Sequence, residues 1–89
     1  MTKLSIKVSQ IDELVELNRI IDNRKYDDLS IDIGLDESYM VDGRSIIGLF
    51  NVSGQNMIMI VYGDELIEED FVEEVRKSLT VENIISKES

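Results

Sequence analysis

Leu4, Ile6 and Val8 alternate with Ser5 and Lys7 near the head of the chain, the period-two pattern of a strand with one buried face. Past Ser9 the period lengthens. Ile11, Leu14, Val15, Leu17 and Ile21 share one broad arc when wound at about 100° per residue, with Asp12, Glu16 and Arg19 outside it. The spacing predicts a helix from about Gln10 to about Asn23. Ser9 can accept from an exposed amide at its start, and Asp12 suits the positive end of the helix dipole. Ile20 points off this arc and is expected to be exposed.

Leu29, Ile31, Ile33 and Leu35 alternate with Ser30, Asp32 and Gly34, which predicts a second half-buried strand. Asp36-Glu37-Ser38 reads as a turn, Tyr39 to Val41 as a short third strand, and Asp42-Gly43 as its close. Ile46, Ile47, Leu49 and Phe50 suit a short helix over Ser45 to Phe50, and Ser53 to Asn56 a loop. Met57 to Tyr62 is a strand apolar on both faces, ended by Gly63. The last helix has Phe71, Val72, Val75 and Leu79 on one face. Its first turns carry Glu65, Glu68, Glu69 and Asp70, and Arg76 and Lys77 come near its end, a gradient that matches the helix dipole. Thr80 to Ser89 either extends this helix or frays, with Ile84 and Ile85 able to dock on the core. The order β-α-β-β-α-β-α predicts an α+β fold: a mostly antiparallel sheet with helices on one face.

Composition narrows the chemistry. The 89 residues suffice for a single domain, and 43% of them are hydrophobic, enough for one two-layer core. Cysteine and histidine are both absent, which excludes disulfides, thiolate or imidazole metal sites, and catalysis or phosphorylation on histidine. The formal charge of −10 repels phosphate backbones and anionic lipid, so neither nucleic acid nor membrane is an expected partner. The run Met57 to Tyr62 is too short to span a bilayer. The N-terminus lacks the apolar stretch of a signal peptide, and a cytoplasmic location is expected. Asp36-Glu37 and Glu65 to Asp70 match neither a calcium loop nor a catalytic carboxylate pair and read as solvated charges, so no metal or cofactor is expected.

Asp42-Gly43-Arg44-Ser45-Ile46-Ile47-Gly48-Leu49-Phe50 resembles a segment of the HPr phosphocarriers of the bacterial sugar phosphotransferase system, in which a glycine-containing turn leads into Lys-Ser-Ile-Met-Gly-Leu-Met. Gly54 to Ile60 resembles that family's polar turn and Ile-x-Ile strand, and Gly63-Asp64-Glu65 its entry to the last helix. The likeness covers Leu29 to Leu79; the N-terminal third matches by element order only. It implies an open-faced β-sandwich with a four-stranded antiparallel sheet, order 1-4-2-3, and three helices on one face. The family's active-site loop, Gly-x-His-Ala-Arg-Pro-Ala, has no counterpart. The stretch here is the shorter Val8-Ser9-Gln10-Ile11-Asp12-Glu13, without the histidine, arginine or proline. Carrier chemistry and enzymatic activity are therefore not expected.

The resemblance to the histidine-less branch of that family, the Crh proteins, implies a non-catalytic regulatory or adaptor role. Its partners would be proteins, a transcription regulator or a phosphotransferase component. Ser45 falls on the branch's regulatory serine, and Ser9 and Gln10 lie in the former active-site region. A phosphate on Ser45 would sit at a helix start beside Arg44; a plain N-cap would also explain a serine there. Arg44, Ile47 and Phe50 are candidate partner contacts, although Ile47 and Phe50 could equally cover the core. Met57, Met59 and Val61 alternate with Ile58, Ile60 and Tyr62, and one set must face away from the helices. Taking the methionine set as outward makes it a candidate dimer face, and the alternative reading of the chain is a small self-associating structural protein. Monomer and weak homodimer both stay open.

Overall fold

The computed structural model describes residues 1–44 and 56–87, with backbone only at Thr80 and at 82–87. In chain order the elements are β1 (Thr2–Lys7), α1 (Ile11–Ile21), a 3-10 turn (Arg24–Tyr26), β2 (Ser30–Asp36), β3 (Tyr39–Asp42), β4 (Asn56–Tyr62), α2 (Glu65–Ser78) and β5 (Thr80–Lys87). The strands form one antiparallel sheet in the order β3-β2-β4-β1-β5. Its first four strands therefore have the expected 1-4-2-3 arrangement, and the class is α+β. Among the described residues there are two α-helices; the short helix expected over Ser45 to Phe50 lies outside them.

Cross-strand register decides which side chains go inward. Leu4 pairs with Met59, Ile6 with Met57, and Ile33 with Met59, while Ile31 pairs with Val61. These residues are all buried, in one cluster with Leu14, Leu17, Ile20 and Ile21 of α1 and Phe71, Val72 and Val75 of α2. Both helices thus cover the same face of the sheet. Met57, Met59 and Val61, expected as an outward dimer face, are core residues instead. Either set on β4 is apolar enough for the interior, and a one-residue choice of register exchanges the faces.

The roll of α1 also differs from expectation. Ile20 is fully buried, whereas Ile11 and Val15 are 56% and 55% exposed. Because α1 lies against α2 as well as the sheet, its buried stripe is turned towards Leu17 and Ile20 and away from Ile11.

Thr80 to Lys87 neither continues α2 nor frays: it is the fifth strand. Leu79 has extended backbone and its side chain is buried, so the chain turns straight from the helix into pairing with β1. Threonine, valine and isoleucine at 80, 81, 84 and 85 suit a strand better than a helix. The open edge of β1 supplies the hydrogen-bonding partners.

Two glycines make the close approaches this topology needs. Gly63, between β4 and α2, has φ +153°, and a Cβ there would lie 2.4 Å from Leu29 Cδ2. Gly34 faces outward opposite Met40, and its Cβ would lie 2.1 Å from the Tyr39 carbonyl oxygen. The β2–β3 hairpin is therefore creased at Gly34, next to a register shift. Lys3 on β1 makes an ion pair with Glu37 at the hairpin tip.

Candidate interaction surface

Of the residues expected to matter, Ser9 and Gln10 lie at the start of α1 and Arg44 beyond its end. Gln10 is its N-cap in extended backbone, with no side-chain capping hydrogen bond. The Ser9 amide donates to Glu13 Oε1 at 3.0 Å. A carboxylate of the helix's own first turn therefore occupies an amide that an anion would need, and Asp12 adds a second negative charge. The start of α1 around Ser9 and Gln10 is therefore lined by acidic side chains that disfavour an incoming phosphate.

Arg44 lies at the other end. Its Nη2 donates to the Tyr26 carbonyl at 2.9 Å, and its backbone amide donates to Asp42 Oδ1 at 2.8 Å. With α1 eleven residues long, about 16 Å of helix, Arg44 and Gln10 do not share one site. Ser45, Ile47 and Phe50 lie outside the described residues.

Arg44 connects to an anchor absent from the sequence reading. Tyr26 is fully buried at the end of the 3-10 turn. Its ring meets Phe71 edge-on, with centroids 5.0 Å apart and planes at 82°. Its hydroxyl donates to Glu74 Oε1 at 2.9 Å. Burial, together with the bond and charge of Glu74, pushes the Tyr26 hydroxyl pKa up to about 12. Lys25 beside it stands 5.6 Å from the Tyr26 ring centroid and 3.4 Å from Asp70 Oδ2. The turn after α1 is thus pinned to α2, and Arg44 is held against that pinned backbone. An aromatic residue between Lys25 and Asp27 was the available signal; the charges of Arg24, Lys25, Asp27 and Asp28 around it hid it.

Glu68 was read as a solvated helix charge and is buried at 4% exposure. It accepts from Thr2 Oγ1 at 2.9 Å and from the Gly63 amide at 3.1 Å, and the amino group of Met1 lies 3.3 Å away. This carboxylate joins the start of β1 to the β4–α2 turn. The neighbouring Asp64 caps α2 by accepting from Leu66 and Ile67 amides at 3.0 and 3.2 Å. The other acids of this stretch, Glu65, Glu69 and Asp70, are exposed as expected.

On the outside of α1, Ile11 and Val15 are one turn apart and share a face, beside the Glu16–Arg19 ion pair. This exposed apolar pair, bordered by Asp12 and Arg19, is the part of the described helical surface best shaped for a protein contact. Among the described residues no group of three or more histidine, cysteine or acidic side chains is placed to hold a metal ion. No described helix is long and apolar enough to cross a membrane. No family model, curated protein or solved structure matches this chain.

Proposed function

We propose that the chain is an HPr-like protein that has lost phosphocarrier chemistry and works as a non-catalytic cytoplasmic adaptor or regulator. It would dock a transcription regulator or phosphotransferase component through α1, with Arg44, Ile47 and Phe50 as further candidate contacts. The observation that carries this reading is the exposed Ile11–Val15 pair on α1. Two half-exposed branched residues one turn apart on an outward helix face supply apolar anchors of the kind a docking helix uses. The 1-4-2-3 sheet order and the likeness of residues 42–50 to the family segment give further support. The self-capped, acidic start of α1 agrees with the loss of phosphate transfer.

Two measurements test it. Calorimetric titration against a transcription regulator bound by the histidine-less branch should show binding that Ile11→Asp and Val15→Asp each weaken at least about tenfold. No binding by the parent chain to regulator or phosphotransferase proteins would remove the adaptor role. Incubation with the system's serine kinase and nucleotide, read by intact mass, should add one phosphate, lost in Ser45→Ala. An unchanged mass would remove the switch and leave docking to be judged by the titration.

A further inference from the structure

The β2–β3 hairpin does not run on in the plane of the sheet. Gly34 is level with Ile58 on β4 and, through it, with Ser5 on β1. Carried on straight, the chain would bring Glu37 level with Val8. That point lies about 17 Å along the strand direction from Lys3, beyond the reach of a lysine's four-carbon stem. Yet Lys3 and Glu37 form an ion pair, so the hairpin folds back over the outward side of the sheet. Gly34 is the crease. It faces outward without a side chain, and the Tyr39 carbonyl oxygen lies 2.1 Å from where its Cβ would stand, beside the register shift between Gly34 and Asp36. Past the crease the tip is held as one piece, since Asp36 Oδ1 accepts from both the amide and the hydroxyl of Ser38.

What the tip crosses is apolar. β4 lies between β2 and β1, and its outward residues there are Ile58 and Ile60, the latter paired directly with Lys3. Both are partly buried, whereas Tyr62, next on the same side of β4, is 48% exposed. We propose that the hairpin is a strap, latched by Lys3 and Glu37, that shields the chain's own Ile58–Ile60 stripe, and that releasing the latch uncovers it. The strap is held lightly. The Lys3 and Glu37 side chains keep 20% and 54% exposure, so water and salt compete for the pair. At the base of the hairpin Asp32 and Asp42 sit directly opposite each other, a like-charge pairing that weakens its hold on the sheet. An apolar stripe of the kind that adheres to other proteins is thereby presented only when the latch is broken. The strap is separate from α1, and its failure would leave the adaptor reading untouched.

Nile red, an uncharged dye that brightens on apolar surface, reads the stripe in the full chain. Lys3→Glu sets two carboxylates against each other at the latch, and its dye signal should exceed the parental one at least about twofold. Adding Glu37→Lys restores an opposite pair and should return the signal to the parental level. Adding Ile60→Ser to Lys3→Glu instead should remove the gain, which locates the dye on β4. Salt should act with opposite sign on the two proteins. Raising it from about 0.1 M to about 1 M shortens the screening length from about 10 Å to about 3 Å, which should raise the parental signal and lower that of Lys3→Glu. A parental signal in Lys3→Glu would overturn the strap, as would a gain that the exchanged pair fails to reverse or that Ile60→Ser leaves intact. A parent chain whose signal ignores salt would overturn it too, whatever the fold of Lys3→Glu.

Discussion

The Thr2 hydroxyl donates to Glu68 Oε1 at 2.9 Å, joining residues 66 positions apart at the start of β1 and in α2. The other oxygen of the same carboxylate accepts the Gly63 amide at 3.1 Å. Both strand and turn depend on an acid that stands in phase with Val72 and Val75 on the buried stripe of α2. Glu68→Ala strands a buried hydroxyl and a partly buried amide. It should cost about 2–4 kcal/mol in urea unfolding, and Thr2→Val about 1 kcal/mol. A double-mutant cycle between them should return a coupling of at least about 0.5 kcal/mol; additive losses would show that the bond contributes nothing.

Tyr26 makes stability fall at high pH. Its hydroxyl has a folded pKa of about 12 against an ordinary value of 10.0. Between those values the unfolded chain releases this proton and the folded chain keeps it, so unfolding is favoured as pH rises. The contribution is fully present below pH 10 and lost towards pH 12, about 2–3 kcal/mol in all. Urea midpoints taken from pH 9 to pH 11.5 should fall in the parent chain and stay flatter in Tyr26→Phe. That variant should start about 1 kcal/mol lower through loss of the Glu74 bond. Equal slopes in the two proteins would exclude Tyr26 as the source.

Gly63 and Gly34 should resist substitution for different reasons. At Gly63, alanine meets both a positive φ and Leu29 Cδ2, and Gly63→Ala should cost about 1–3 kcal/mol. At Gly34 the φ is unremarkable, and the obstacle is the Tyr39 carbonyl oxygen. Gly34→Ala should open the hairpin crease and break the Lys3–Glu37 pair. In that variant alone, Lys3→Ala should have no additional effect on thermal midpoint. A parental midpoint for either glycine variant would contradict the packing described.

Truncation after Leu79 removes β5 and reopens the edge of β1. Amide exchange of Leu4 and Ile6 should accelerate at least about tenfold, and the shortened chain should aggregate at concentrations the full chain tolerates. Unchanged exchange at β1 would mean that the last strand is not needed to hold it.

The sequence by itself determined the kinds and order of most elements. Alternation in Leu4 to Val8 and Leu29 to Ile33 marks strands whatever they pair with, because side chains leave a pleated strand on alternate sides. Phe71, Val72, Val75 and Leu79 likewise mark the buried stripe of α2, and all four are buried. Tertiary structure decided everything that turns on a choice between equivalents. Met57 to Tyr62 is apolar on both faces, so only its register with β1 and β2 sends the methionines in and Ile58 and Ile60 out. α1 holds six apolar residues, five on the predicted arc and Ile20 off it, and only packing against α2 chooses Ile20 over Ile11 and Val15. Thr80 to Lys87 becomes a strand because β1 has an open edge. The burial of Glu68 and Tyr26 rests on Thr2 and Glu74, 66 and 48 positions away, although the helical phase of Glu68 with Val72 and Val75 already pointed inward. Local periodicity reports what a segment can bury, while the choice of face, edge and buried polar partner is settled by contacts that exist only once the chain has closed on itself.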